Sequence, residues 1–236
     1  MSIIFDILIL LVIVFFCHRG AKRGMAATLI SIVVFIIAMT GAGFASKEYS
    51  GELTTSMNPF VSGLMESQGA PAAQKNMGLR ESGVSANDVI EEEPTLIYDY
   101  SNACFEALGV SSITADKFSG VTAQEYVNGN DVTEAINTSF CKAAAYFIGV
   151  IIAFTVIIIF LSVLVELAIK PKHKLSEEKD EYFGTIAGFF KGVVVCIALC
   201  WVFSFLGVII GKSTIENSYI GKFLLALNYL TDLAVA

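Results

Sequence analysis

Histidine occurs only twice in the chain, at His18 and His173, and charged side chains make up just 16% of its 236 residues. Two histidines leave a zinc site short of ligands, because Cys17 beside His18 would need further Cys, His or acidic groups converging on it. No metal is expected. Also missing are a glycine-rich phosphate loop, a nucleophile elbow and a dinucleotide fingerprint, so neither a cofactor nor an enzymatic activity is expected. The shortage of charge says more. A soluble domain carries about 25% charged residues, with its apolar residues spread at helix or strand periods; here 55% are hydrophobic, and they come in blocks.

Ile3 to Cys17 is interrupted only by Asp6, while Met25 to Ala45, Ala143 to Val165 and Gly192 to Gly211 contain no charge at all. The last three reach the roughly 20 apolar residues that cross about 30 Å of hydrocarbon. The first is shorter, and its length would suit the apolar region of a secretory signal. A signal carries its bases before the apolar run and small residues after it. Here the order is reversed: no Lys or Arg precedes Arg19, and "HRGAKRG" follows directly. We read it as a short first membrane helix, extended by Arg19 reaching toward the headgroups. Four membrane helices are therefore expected.

Lys and Arg are also unevenly placed. The first short loop holds Arg19, Lys22 and Arg23, and the third, "KPKHKLSEEKDEYFGTIAGFFK", holds Lys170, Lys172, Lys174, Lys179 and Lys191. Residues 46–138 hold four bases against fourteen acids. Cytoplasmic loops are enriched in Lys and Arg close to the membrane ends, so the two short loops are expected inside and the acidic segment outside. Both termini then lie outside. Membrane lipids are the expected surroundings, other membrane proteins or a second copy the expected partners, and nucleic acid is not expected.

Glycine recurs at a spacing of four: Gly20 and Gly24, and again Gly184, Gly188 and Gly192. Such residues share a helix face, and small residues let membrane helices approach closely. Arg23-Gly24 and Lys191-Gly192 each precede a long uncharged run, an internal echo that suggests two helical hairpins of like orientation. Ionisable residues inside a membrane are costly and raise functional questions. The candidates are Asp6, Glu166 and Lys191. All three sit near the ends of apolar runs, which favours interface anchors over a proton or cation path.

In the acidic segment, Ser85 to Asp88 and Thr122 to Glu125 fit a capping pattern, a hydroxyl residue with an acid three places on. Leu96, Ile97, Tyr98, Tyr100, Phe105 and Leu108 supply material for a small helical core. "SQGAPAAQKNMG" reads as a loop, so partial order is expected, and the third apolar helix is expected to begin near residue 132. Cys104 and Cys141 both fall outside, which permits a disulfide. After the fourth run, Ser213 and Glu216 fit a capping box, and Ile220, Phe223, Leu224, Leu227 and Leu230 form a stripe at helical spacing. The tail is too mixed to span a membrane.

The N-terminal "DI" of Asp6 and Ile7, then "RGAKRG", an uncharged second helix, a third helix, and "YFGTIAGFFKGVVV" before the last span together resemble the colicin V production protein (CvpA) family of bacterial inner-membrane proteins. The resemblance covers residues 3–45 and 140–236. It implies a four-span, non-enzymatic protein of the inner membrane, associated with production or export of a peptide toxin or, more broadly, with envelope function. The insertion between spans two and three is much longer than in compact members of that family. The expected architecture is all-α: hairpin 1 over 1–45, a partly helical insertion over 46–138, hairpin 2 over 139–211 and an amphipathic helix over 212–236. A small oligomeric channel or transporter is the alternative, although Thr28, Ser31, Thr40, Thr155, Ser162 and Ser204 offer little polar surface for one.

Overall fold

A computed structural model describes residues 2–79, 85–168, 177–205 and 217–227. Of the positions singled out above, Lys170, Lys172, Lys174, His173, Ser213, Glu216 and Leu230 lie outside the described residues, as does the side chain of Glu166. The described residues are helical and contain no strand. They form α1 (Ser2–Arg23), α2 (Met25–Leu64), a π-helical turn (Met65–Gly69), α3 (Ala70–Asn76), α4 (Ala86–Glu92), α5 (Leu96–Ala107), α6 (Ser112–Val127), α7 (Val132–Ala168), α8 (Glu177–Phe205) and α9 (Tyr219–Ala226). Four stretches within them, Ile3–Arg23, Met25–Asn76, Val132–Val165 and Lys179–Phe205, are long and apolar enough to cross a membrane.

Two of these helices exceed what a bilayer needs. At 1.5 Å per residue the 40 residues of α2 extend about 60 Å and the 37 residues of α7 about 55 Å. Their uncharged parts, Met25 to Ala45 and Ala143 to Val165, account for about half of α2 and about three-fifths of α7. The chain divides accordingly into two compact units: Met1–Ala45 with Val150–Val202 and Ser213–Asn228, and Ser46–Gly149 with Phe203–Lys212 and Tyr229–Ala236. Both α2 and α7 contribute to each.

In the first unit, α1 ends and α2 begins with one residue between them. That residue is Gly24, whose φ of +81° is a left-handed conformation that costs glycine nothing. Its amide donates to the Gly20 carbonyl at 2.9 Å, closing the last turn of α1. Gly192, the counterpart of Gly24 in the sequence echo, lies inside α8, whereas Gly24 separates two helices. Against α2 lies the distal part of α7, with the Phe35 and Phe154 rings edge to face at 5.2 Å. Its outer face stays exposed along Ile152, Val156, Ile159, Phe160 and Val163, as a lipid-facing helix requires.

Among its described residues the second unit has a buried hydrophobic core. Met65, Ala73, Ile90, Ile97, Tyr100, Cys104, Phe105, Phe118, Val132 and Ile136 are buried together, and the Phe105 and Phe140 rings stack at 5.6 Å. "SQGAPAAQKNMG", expected as a loop, is instead mostly helical, as the π turn and α3. Pro71 falls in the first turn of α3, where its missing N–H is not needed, and Ala72, Ala73, Gln74 and Lys75 favour helix. Ser85 caps α4 by accepting from the Asn87 amide at 3.2 Å. Thr122 does not cap a helix: it is buried within α6 and its hydroxyl donates to the Phe118 carbonyl at 3.1 Å. Core packing carried α6 through it. α7 begins at Val132, and the Asp131 carbonyl accepts its first bond, from the Ala135 amide at 2.8 Å.

The C-terminal helix is also placed differently from its expected stripe. Ser218 caps it, accepting from the Gly221 amide at 2.8 Å, and Gly221, Leu224 and Leu225 form its buried face. Phe223 and Leu227 point outward, 64% and 53% exposed. The reason is Gly221, where a Cβ would meet the Phe5 ring at 2.8 Å. Docking on α1 through the smallest residue rotates the stripe away from it.

Candidate functional site

The close-packed element of the first unit is a seam between α1 and α8. A Cβ placed at Gly192 would meet the Ile13 Cα at 2.9 Å, one at Gly188 the Cys17 Cα at 2.9 Å, and one at Gly184 the Gly20 carbonyl carbon at 3.1 Å. Rising numbers on α8 match falling numbers on α1, so the helices run antiparallel and touch backbone to backbone over two turns. Gly20 belongs to the same seam: its Cβ would meet the Gly188 Cα at 2.9 Å. The four-residue spacing thus places Gly184, Gly188 and Gly192 on one face and Gly20 opposite them. Gly24 makes the turn and also closes that end of the seam, where a Cβ at Gly184 would meet its carbonyl carbon at 3.2 Å.

Charged groups flank this seam, from the turn inward. The Asp180 carboxylate accepts from the Met25 amide at 3.0 Å, capping α2 from a distant part of the chain and placing an anion at the positive end of its dipole. Lys191 is half-buried; its ammonium donates to the Ser31 hydroxyl and lies 5.2 Å from the centre of the Phe16 ring. Arg19 and Arg23 are exposed, Arg19 lying 6.0 Å from the Phe15 ring. Arg19, Arg23, Lys191, Thr28 and Ser31 line one cleft. Thr28 is buried and donates to the Gly24 carbonyl at 2.8 Å.

Asp6 has a partner that its sequence surroundings do not reveal. Its Oδ1 accepts from the Ser218 hydroxyl at 2.6 Å and from the Ile220 amide at 3.2 Å. The carboxylate therefore extends the N-cap of α9 and ties that helix to α1. An N-cap is worth about 0.5–2 kcal/mol, and Asp6→Ala is expected to cost that much. In a double-mutant cycle with Ser218→Ala the two losses should be less than additive; strict additivity in thermal unfolding would show that the pair does not act together.

Sequence reasoning missed Asp180 and Ser218 and named Ser31 only as sparse polar surface; each meets its partner across 155 residues or more. No local spacing marks such pairs. The cysteines at 17, 104, 141, 196 and 200 are free thiols. Burial pushes the Cys104 thiol up to about 12, which keeps it protonated and unreactive. In the same unit the Tyr98 hydroxyl donates to the Asp116 carboxylate, and this bond holds the phenol proton to about 12. No cluster of three or more His, Cys, Asp or Glu suited to a metal ion occurs among the described residues.

These features define a helical membrane protein with a glycine seam and a basic turn. No protein-family model, curated protein or solved structure matches the chain.

Proposed function

We propose that the chain is a non-enzymatic bacterial inner-membrane protein of the colicin V production type, supporting toxin production or export or envelope upkeep through contacts with other membrane components. In this reading both termini lie outside the cytoplasm and the Gly24 turn lies inside, following the Lys/Arg bias of the short loops. The observation that carries the reading is the closed seam: α1 and α8 meet through backbone at Gly20, Gly184, Gly188 and Gly192, which leaves no gap between them to conduct. Span hydroxyls support it. Thr155 donates to its own helix at the Ile151 carbonyl, and the buried Thr28 donates to the Gly24 carbonyl, so neither hydroxyl proton is offered to a pore.

Reconstitution in liposomes tests the reading. Neither the wild type nor Asp6→Asn is expected to pass protons or ions, and Asp6→Asn should still complement an envelope defect in cells lacking the protein. Flux in the wild type that vanishes in Asp6→Asn would replace the accessory role with a small channel or transporter.

A further inference from the structure

We propose that the basic cleft at the α1–α2 turn is a binding site for a phosphate group, carried by an anionic phospholipid headgroup or by free phosphate. Three cations, Arg19, Arg23 and Lys191, line it together with the hydroxyls of Thr28 and Ser31. Among the described residues none of the three has a carboxylate within 4.0 Å. One acid near this turn, Asp180, is engaged with the Met25 amide at 3.0 Å. The cleft thus concentrates positive charge that the described chain does not neutralise.

Depth sharpens the point. Ser31 lies six residues into α2, about 10 Å along its axis, and holds the Lys191 ammonium there. A charge beside apolar helices is retained at a cost unless it meets a counter-ion or water. Lys191 has two further N–H donors beyond the one given to Ser31. The Ser31 hydroxyl accepts that bond and donates to nothing among the described residues, so its proton is available. Arg19 and Arg23 are exposed at the mouth, with planar forks that match pairs of phosphate oxygens. Two guanidinium groups, an ammonium and a hydroxyl supply more donors than the two oxygens of a carboxylate take up. They suit a group with three or four oxygens seated where Arg19 and Arg23 open to solvent, because the enclosed part of the cleft, about 10 Å³, admits about one water.

The test uses the full chain, purified in neutral detergent and freed of lipid, where membrane orientation plays no part. It is titrated separately with dioctanoyl phosphatidylglycerol and with inorganic phosphate. One saturable site per chain is expected, with a Kd about tenfold weaker in the charge-preserving variant Arg19→Lys/Arg23→Lys and unchanged in Lys22→Gln, whose residue is exposed on the same turn but does not line the cleft. Ser31→Ala, which leaves every cation in place, is expected to weaken binding several-fold and guards against misfolding of the arginine variant. Lipid that binds and resists displacement by millimolar phosphate identifies the headgroup as the source; phosphate that binds with the same variant dependence and displaces lipid identifies the free ion. Absence of a saturable site for both probes, or equal weakening by Lys22→Gln and the arginine pair, would overturn the proposal.

Discussion

Gly188→Leu is expected to abolish recovery of folded protein, and Gly188→Ala to lower its stability by about 1–3 kcal/mol, the usual cost of overpacking. One added methyl suffices because a Cβ at this position meets the Cys17 Cα at 2.9 Å and the Phe16 carbonyl carbon at 3.0 Å. Backbone cannot rotate aside as a side-chain tip can, so α1 and α8 must separate, and the contacts at Gly184 and Gly192 loosen with them. Gly63→Ala provides the opposite sign. It lies in α2 with nothing within 4 Å of its Cβ position, and removing a helical glycine there should stabilise by about 0.5–1 kcal/mol. Thermal unfolding in detergent, followed by size-exclusion recovery, measures both. Equal behaviour of Gly188→Ala and Gly63→Ala would show that the seam does not hold the helices together.

How far the sequence discloses this arrangement depends on the range of the forces involved. Uncharged runs such as Met25 to Ala45 announce four apolar helices because membrane insertion depends on composition over about twenty residues. Ser85 and the α7 start near Val132 are legible because caps are local. The continuation of α2 from Ser46 to Leu64 is not, since polar residues such as Lys47, Glu48 and Glu52 mark only the end of an apolar run and say nothing about where helix stops. "SQGAPAAQKNMG" misleads for a related reason: glycine and proline usually punctuate, but Pro71 stands where a helix tolerates it and Ala73 is drawn into the core.

The candidate site divides along the same line. The spacing of Gly184, Gly188 and Gly192 indicates a shared face, but not that α1 lies against it with Gly20 opposite. Asp6 lacks an evident partner in sequence because Ser218 stands 212 residues away. Lys191 is similar: its contact with Ser31 spans 160 residues. What packing adds, in each case, is the second half of a pair whose first half was already conspicuous as a charge or a glycine in an apolar run.

Replacing Arg19, Lys22 and Arg23 together by Gln is expected to turn one orientation of the proposed topology into a mixture. The three are the only Lys or Arg residues before Lys47, so the first two spans would lose every base that favours holding the Gly24 turn inside. Orientation follows bases near span ends, with acids contributing little, and Asp180 would remain bonded to the Met25 amide without replacing them. The bases of the third loop, Lys170 to Lys191, would still favour the original arrangement, which is why a mixture rather than a clean inversion is expected. Lys75→Cys reports the outcome, because Lys75 is exposed in the second unit while Cys104, Cys141, Cys196 and Cys200 are buried and half-buried Cys17 can be changed to Ser. In intact cells a membrane-impermeant maleimide should label Lys75→Cys fully with the bases present and partially once they are gone. Protection of position 75 with the bases present would reverse the orientation proposed here, and full labelling without them would mean that the third loop alone fixes it.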